Sequence, residues 1–291
     1  VQNSLEILSQ YREHSRLYRH NRYVYPVVSR RSKGLSIGIN LNPDKICNFD
    51  CVYCQVDRRS DAEVTFVDVD RLYEELVWTI DRVLTGRVFE EQSFVSIPAA
   101  LRRLNDLAFS GDGEPTSVRN FAEIVEGVAR IKRTAGLDDV KLIVLTNASL
   151  LHRPRVMRGL ETLMANNGEI WAKLDAGTPE YFQVVERTPI PFERILKNLR
   201  QTARQFPLVI QSMFLRLHGR APEVREVDAY IDRLQELLHR GGALKLIQVY
   251  TLARRPAESY VAALDPRELD WIADRVRQRL PVPVEAFYGP V

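Results

Sequence analysis

Short apolar runs recur along this chain, separated by stretches with helical spacing. The run 35–41, Leu-Ser-Ile-Gly-Ile-Asn-Leu, alternates apolar and polar positions and predicts a strand. Asp68 is placed to cap a helix carried by Val69, Leu72, Leu76, Ile80 and Val83 and ended by Gly86. A short helix is expected over 94–104 and a short strand over 106–109. A helix follows on Val118, Phe121, Ile124, Val128 and Ile131, then a buried-type strand over 140–145. The alternation continues with a helix over 153–165, a strand over 169–175, and a helix on Phe192, Ile195, Leu196, Leu199 and Ala203 that Pro207 stops. A strand over 208–215, a helix over 223–240 closed by Gly241 and Gly242, and a strand over 244–250 come next. Asp265-Pro-Arg-Glu268 forms a capping box with proline at the first helical position, and 282–288 is a last short strand. This order predicts an α/β fold with a parallel sheet. Residues 1–33 read as an irregular or helical N-terminal extension and 34–291 as a single core domain, without internal repeat or linker.

Composition alters little in this picture. At 291 residues, 45% hydrophobic and 27% charged, the chain has the makeup of a globular protein with a sizeable core. No apolar stretch reaches the roughly 18 residues of a membrane span, and 1–9 lacks the layout of a secretory signal. Closely spaced thiols fit a reducing interior, so the expected location is the cytoplasm, with no membrane partner. The net charge of +3 is uneven. Between Tyr11 and Lys33, seven cations (Arg12, Arg16, Arg19, Arg22, Arg30, Arg31, Lys33) face Glu13 alone, a net of +6. Tyrosines and histidines are interleaved with them. Such an arm suits RNA phosphates and stacked bases, or serves as a strap whose arginines cover apolar surface.

The chain's only three cysteines fall in eight positions, Cys47-Asn-Phe-Asp-Cys51-Val-Tyr-Cys54. Three thiolates at C-x3-C-x2-C spacing can hold three corners of a [4Fe–4S] cube and leave its fourth iron open. Structural zinc is the rival reading. Neither His14, His20, His152, His218 nor His239 lies at zinc-finger spacing from the loop, and there is only one C-x2-C knuckle. An odd count argues against disulfides. Ser110-Gly-Asp-Gly-Glu-Pro-Thr116 is the second informative stretch, because its glycines allow φ > 0 and close backbone approach while Pro115 holds Glu114 extended. Lys173 and Asp175 point to one side of their strand, and either Gln211 or Ser212 must face the sheet's interior surface. Arg216, His218, Gln248, Tyr250, Arg254 and Arg255 lie at or beyond strand ends as candidate substrate contacts or loop surface. There is no Gly-x-x-x-x-Gly-Lys-Ser/Thr loop, nucleophile elbow or His-Glu-x-x-His motif.

The cysteine spacing, with Tyr53 before the last cysteine, resembles the signature of the radical S-adenosylmethionine superfamily. The resemblance implies a partial (β/α)6 barrel with the cluster at its C-terminal mouth and 282–288 as an extra strand. It implies one [4Fe–4S] cluster on Cys47, Cys51 and Cys54, with S-adenosylmethionine on the open iron. Gly111, Asp112, Gly113 and Glu114 look like the family's Gly-Gly-Glu-Pro segment, which binds the cofactor's ammonium; Asp112 is a departure from it. Tyr53, Asn147, Lys173, Asp175 and Gln211 stand where further cofactor contacts are expected, although Lys173 and Asp175 could equally pair with each other. Together with 40–44 and 145–147, these stretches look like the wyosine-synthetase-like group, whose members modify tRNA. That group carries cysteines for a second cluster, and here none follows Cys54. The expectation is therefore a radical enzyme of unidentified substrate, served by an external flavodoxin- or ferredoxin-type electron donor. A tRNA-modifying base synthase and a structural zinc adaptor are the alternatives.

Overall fold

Eight of the apolar runs pair edge to edge in a computed structural model that describes residues 18–58, 60–62, 64–254, 256 and 258–289. In chain order the strands are β1 (Val24–Ser29), β2 (Gly34–Ile39), β3 (Leu104–Phe109), β4 (Lys141–Thr146), β5 (Gly168–Lys173), β6 (Leu208–Met213), β7 (Leu215–Leu217), β8 (Leu244–Tyr250), β9 (Val261–Ala263) and β10 (Val284–Phe287). The sheet runs β1-β2-β3-β4-β5-β6-β8-β10, with every neighbour parallel except β1 against β2. It curls into a half-barrel, as the family resemblance implied, and β10 is the extra strand beyond the parallel six. β7 and β9 form a separate antiparallel pair beyond the end of β6.

The crossover helices are α1 (Val69–Leu84), α2 (Phe121–Thr134), α3 (Pro154–Met164), α4 (Pro179–Glu186), α5 (Phe192–Ala203), α6 (Val224–His239) and α7 (Pro266–Arg279). Each helix buries an apolar stripe, as Leu72, Leu76, Ile80 and Val83 do in α1. The main core contains these stripes together with sheet residues such as Ile37, Leu107, Leu142 and Ile170. A smaller cluster, Ala108, Ile143, Trp171 and Val209, takes alternate residues on the lumen side.

Three expectations need correction. Residues 24–29 are not an irregular extension: they pair with β2 from Val24↔Ile39 to Ser29↔Gly34. Pro26 reads as a breaker, but β1 is an edge strand, where a missing N–H removes no ladder bond. The expected helix over 94–104 reduces to a 3-10 turn at Ala99–Leu101, entered from Pro98. The run 208–215 is not one strand, because the chain leaves the sheet after Met213 and Leu215 pairs with Ala263 of β9.

Candidate active site

The cysteine loop leaves the C-terminal end of β2 and is pinned from two sides. The Asp50 N–H donates to the Glu186 carbonyl (3.1 Å) and the Val52 N–H to the Val185 carbonyl (2.9 Å), lacing the loop to the last turn of α4. Arg187, in the left-handed region at φ 44°, sends Nε to the Asp50 carbonyl (2.7 Å). From the end of β4, Asn147 Nδ2 donates to Asn48 Oδ1 (2.8 Å), and Asn48 Nδ2 donates to Ser149 Oγ (2.7 Å). Thr188 Oγ1 closes the set on the Asn48 carbonyl (2.9 Å). Held in this way, Cys47, Cys51 and Cys54 line one cavity of ≈ 330 Å³ at the strands' C-terminal ends.

The Gly111–Gly113 segment is built for closeness rather than for unusual φ, since neither glycine lies in the left-handed region. A Cβ on Gly111 would meet Asn40 Oδ1 at 2.2 Å, and one on Gly113 would meet the Ile46 carbonyl at 2.3 Å. Asn40 clasps the turn, accepting from the Asp112 N–H (3.1 Å) and donating to Asp112 Oδ2 (2.6 Å). Gly113→Ala is therefore expected to push the Ile46–Cys47 backbone away. The anaerobically reconstituted variant should hold less than half the iron of the parent protein, and unchanged iron would contradict this packing.

Glu114 is 2% exposed and ties two strand ends together. Thr146 Oγ1 donates to its Oε1 (2.6 Å), as do the Thr116 hydroxyl and N–H, and the Asn147 N–H donates to its Oε2 (2.7 Å). Burial raises its carboxyl above the usual range despite these donors. Asn147 spends its side chain on Asn48 and on the Ser149 N–H and hydroxyl. Both residues touch the cavity, but their side chains mainly hold the cysteine loop's surroundings together.

A buried charged cluster lies beside Cys51. Lys173 Nζ pairs with Asp175 Oδ2 (2.9 Å), donates to Tyr250 Oη (2.5 Å), and sits over the Tyr53 and Tyr250 rings. Asp175 accepts from the Met213 N–H (2.6 Å) and the Tyr53 hydroxyl (2.5 Å). Burial pulls the Lys173 ammonium down, but Asp175, Tyr250 and Glu186 outweigh it, so its pKa is raised and it stays charged. Glu186 lies against Cys51, Sγ to Oε2 at 2.6 Å; burial and Asp175 hold its carboxyl well above the ordinary range. Burial, and then Glu186, raise the Cys51 thiol as well. Arg58 Nη2 reaches Cys54 Sγ at 3.6 Å.

Deeper in the lumen, Asp106 accepts the Ser36 hydroxyl on Oδ1, while its buried Oδ2 has no partner. Burial pushes this carboxyl up to about 6, with Ser32, Ser36 and Lys141 pulling the other way. The folded protein thus holds the proton more tightly than the unfolded chain, whose carboxyl has an ordinary pKa near 3.8. The resulting stability is fully present below about pH 4 and is lost as pH rises through about 6. Asp106→Asn is expected to stabilise the fold by about 1–3 kcal/mol at pH 8 and by much less at pH 4. Urea midpoints at the two pH values measure this, and equal effects at both would refute it.

The cavity's donor set fits an iron–sulfur cube. The residues lining it supply three thiols and no histidine. A single zinc draws its ligands to within about 2.3 Å of one centre, whereas a cube spreads three cysteines over three irons. A sequence profile of the radical SAM superfamily matches residues 41–218. The chain belongs to the radical SAM superfamily. This family's enzymes use a [4Fe–4S] cluster and S-adenosylmethionine.

Relatives of this radical SAM chain include a GTPase Obg of Brachyspira hyodysenteriae, 22% identical over 91% of this chain and 34% of that protein. A UPF0026 protein of Synechocystis is 28% identical over 70% of this chain and 69% of its own length. A UPF0026 protein of Methanocaldococcus jannaschii is 34% identical over 45% of this chain and 34% of its own length. The chain thus spans about a third of two of these relatives. Two solved structures share the fold with a TM-score of 0.52. TYW1 with a lysine-pyruvate adduct bound is 17% identical, covering 85% of this chain and 74% of that one. Streptococcus suis SuiB bound to S-adenosylmethionine is 13% identical, covering 89% and 49%. The TYW1 match extends the wyosine-synthetase-like resemblance to the fold. Among the described residues no helix is long and apolar enough to cross a membrane.

The cavity of this radical SAM domain gathers Tyr53, Gly111, Asp112, Gly113, Glu114, Asn147, Lys173 and Gln211 with the three cysteines, and Asp175 sits just behind Tyr53 and Lys173. Gln211 faces the lumen, whereas Ser212 points to Tyr230 (2.6 Å). Tyr250 and Arg254 reach the cavity; Gln248 bonds to Gln211. Arg216 pairs with Glu268 (2.6 Å) and His218 stacks on Tyr260. Arg255, Tyr11, Arg12, His14 and Arg16 lie outside the described residues. Sequence reasoning missed Glu186 and the whole of α4. The available signal was Thr178-Pro179-Glu180, an N-cap with proline at N1.

Proposed function

We propose that this chain is a radical S-adenosylmethionine enzyme in which Cys47, Cys51 and Cys54 each ligate one iron of a single [4Fe–4S] cluster, leaving the fourth iron to the cofactor. One observation carries the reading: the only three thiols of the chain line the mouth of one lumen, with unsatisfied acceptors further inside. When bound and reduced, the cluster and S-adenosylmethionine supply a 5′-deoxyadenosyl radical that removes hydrogen from a substrate. Arg58 offers an N–H to the Cys54 sulfur, and α4 fixes the loop that presents all three thiols. The half-buried backbone of Gly111 to Gly113 is left to orient the cofactor, while Lys173, Asp175 and Tyr53 form the wall behind it. Electrons come from a separate donor of the flavodoxin or ferredoxin type.

The three cysteines of this sequence are enough for one cluster, and the proposed chemistry asks for no second. Arg19 pairs with Glu91 (3.1 Å), Lys33 with Glu285 (2.8 Å), and Arg31 packs into the lumen. The described part of the basic arm therefore gives no reason to choose tRNA as substrate. Anaerobic reconstitution tests the proposal. About four irons per chain, and 5′-deoxyadenosine on reduction, are expected. Zinc in place of iron, with no cofactor cleavage, would return the loop to a structural role.

A further inference from the structure

Three polar groups of the lumen are left without the partners their chemistry calls for. Asp106 is 1% exposed and its Oδ2 is unpaired. Gln211 is fully buried: its Nε2 donates to Gln248 Oε1 (2.7 Å) while its own Oε1 is unpaired. Arg31, on the turn between β1 and β2, lays its guanidinium over Trp171 (5.8 Å) and Tyr250 (5.1 Å). Among the described residues nothing accepts its N–H groups. All three line the same cavity. Buried acceptors without donors are rare in folded proteins and mark places where a ligand or ion completes the set.

We propose that this space is the substrate pocket and that its substrate is a small zwitterion of the amino-acid type, with its carboxylate on Arg31 and its N–H groups on Asp106 and Gln211. This rests on the functional reading above. Arginine binds carboxylate through paired N–H donors, and a carboxylate such as Asp106 accepts from ammonium. Lys173 does not compete, because Asp175 already neutralises it. Beside Arg31 a phosphate dianion would meet the two bare acceptors of Asp106 and Gln211, and a neutral base would leave Arg31 without its anion. Trp171, Ala108, Ile143 and Val209 supply an apolar wall for the rest of the molecule.

The test uses the reconstituted 291-residue chain saturated with S-adenosylmethionine. The twenty standard amino acids, propionate and propylamine are titrated singly and followed by thermal shift and calorimetry. At least one amino acid is expected to bind, with the two single-charge probes at least tenfold weaker. Arg31→Gln and Asp106→Asn should each weaken that binding tenfold or more, about 1.4 kcal/mol. Asp106→Asn should do so while the fold becomes more stable, a combination that a purely structural residue would not give. The proposal is overturned if no amino acid binds, if both variants leave binding unchanged, or if they weaken S-adenosylmethionine instead. Iron content and reductive cofactor cleavage are measured on the same samples. Their failure removes the functional reading and this inference with it, whereas their success without amino-acid binding removes the inference alone.

Discussion

Cys47→Ala, Cys51→Ala and Cys54→Ala are each expected to abolish 5′-deoxyadenosine formation while leaving the fold in place. Removing even an outer-shell partner of a metal site typically costs about 10–100-fold, so loss of a direct ligand should cost more than ~100-fold. The loop does not depend on the thiols for its position, because Asn48, Asp50 and Val52 pin it through their own hydrogen bonds. All three cysteines are half-buried, and stability should shift by no more than about 1 kcal/mol for Cys47 and Cys54. Cys51→Ala removes the sulfur partner of Glu186 and should show the largest shift of the three. Iron analysis and chromatography of the nucleoside product decide the matter. A variant that kept four irons and full cleavage would show that its cysteine is not a ligand.

Asp175→Ala should destabilise the protein by about 3–5 kcal/mol, the range for breaking one side of a buried ion pair. The change strands the Lys173 ammonium and the Met213 N–H together, and the Tyr53 hydroxyl keeps only long contacts to Glu186. Asp175→Asn keeps an acceptor for Met213 and should cost less. Urea unfolding at neutral pH separates the two variants. A loss below about 1 kcal/mol for the alanine form would mean that water or Glu186 takes over the role of Asp175.

Much of this was legible in the sequence where local rules dominate. The parallel strands showed through their apolar runs, and the helix starts at Asp68 and Asp265 through their caps, because each signal lies within a few residues. The cysteine loop and the glycine turn were recognisable as motifs. Their purpose was less so: the glycines answer to Asn40 and Ile46, some 70 residues away in sequence. Glu114 read as a ligand contact; it lines the cavity, and its hydrogen bonds also join the ends of β3 and β4. Glu186 was invisible for the same reason. A lone acid at a helix end gains meaning only when folding lays it against Cys51. Pairings between distant segments decide such roles, and periodicity does not carry them.

The turn joining β1 and β2 has one more consequence. Among the described residues no ladder connects β1 to β10, so the ring of strands is open. Instead, Lys33 reaches Glu285 and Arg30 reaches the Tyr288 carbonyl, bridging the gap with side chains. An exposed ion pair contributes about 0–1 kcal/mol and is screened by salt. A sealed barrel fixes its circumference through backbone register. Here side chains alone span the gap, and raising the salt concentration is expected to weaken the Lys33–Glu285 part of that bridge.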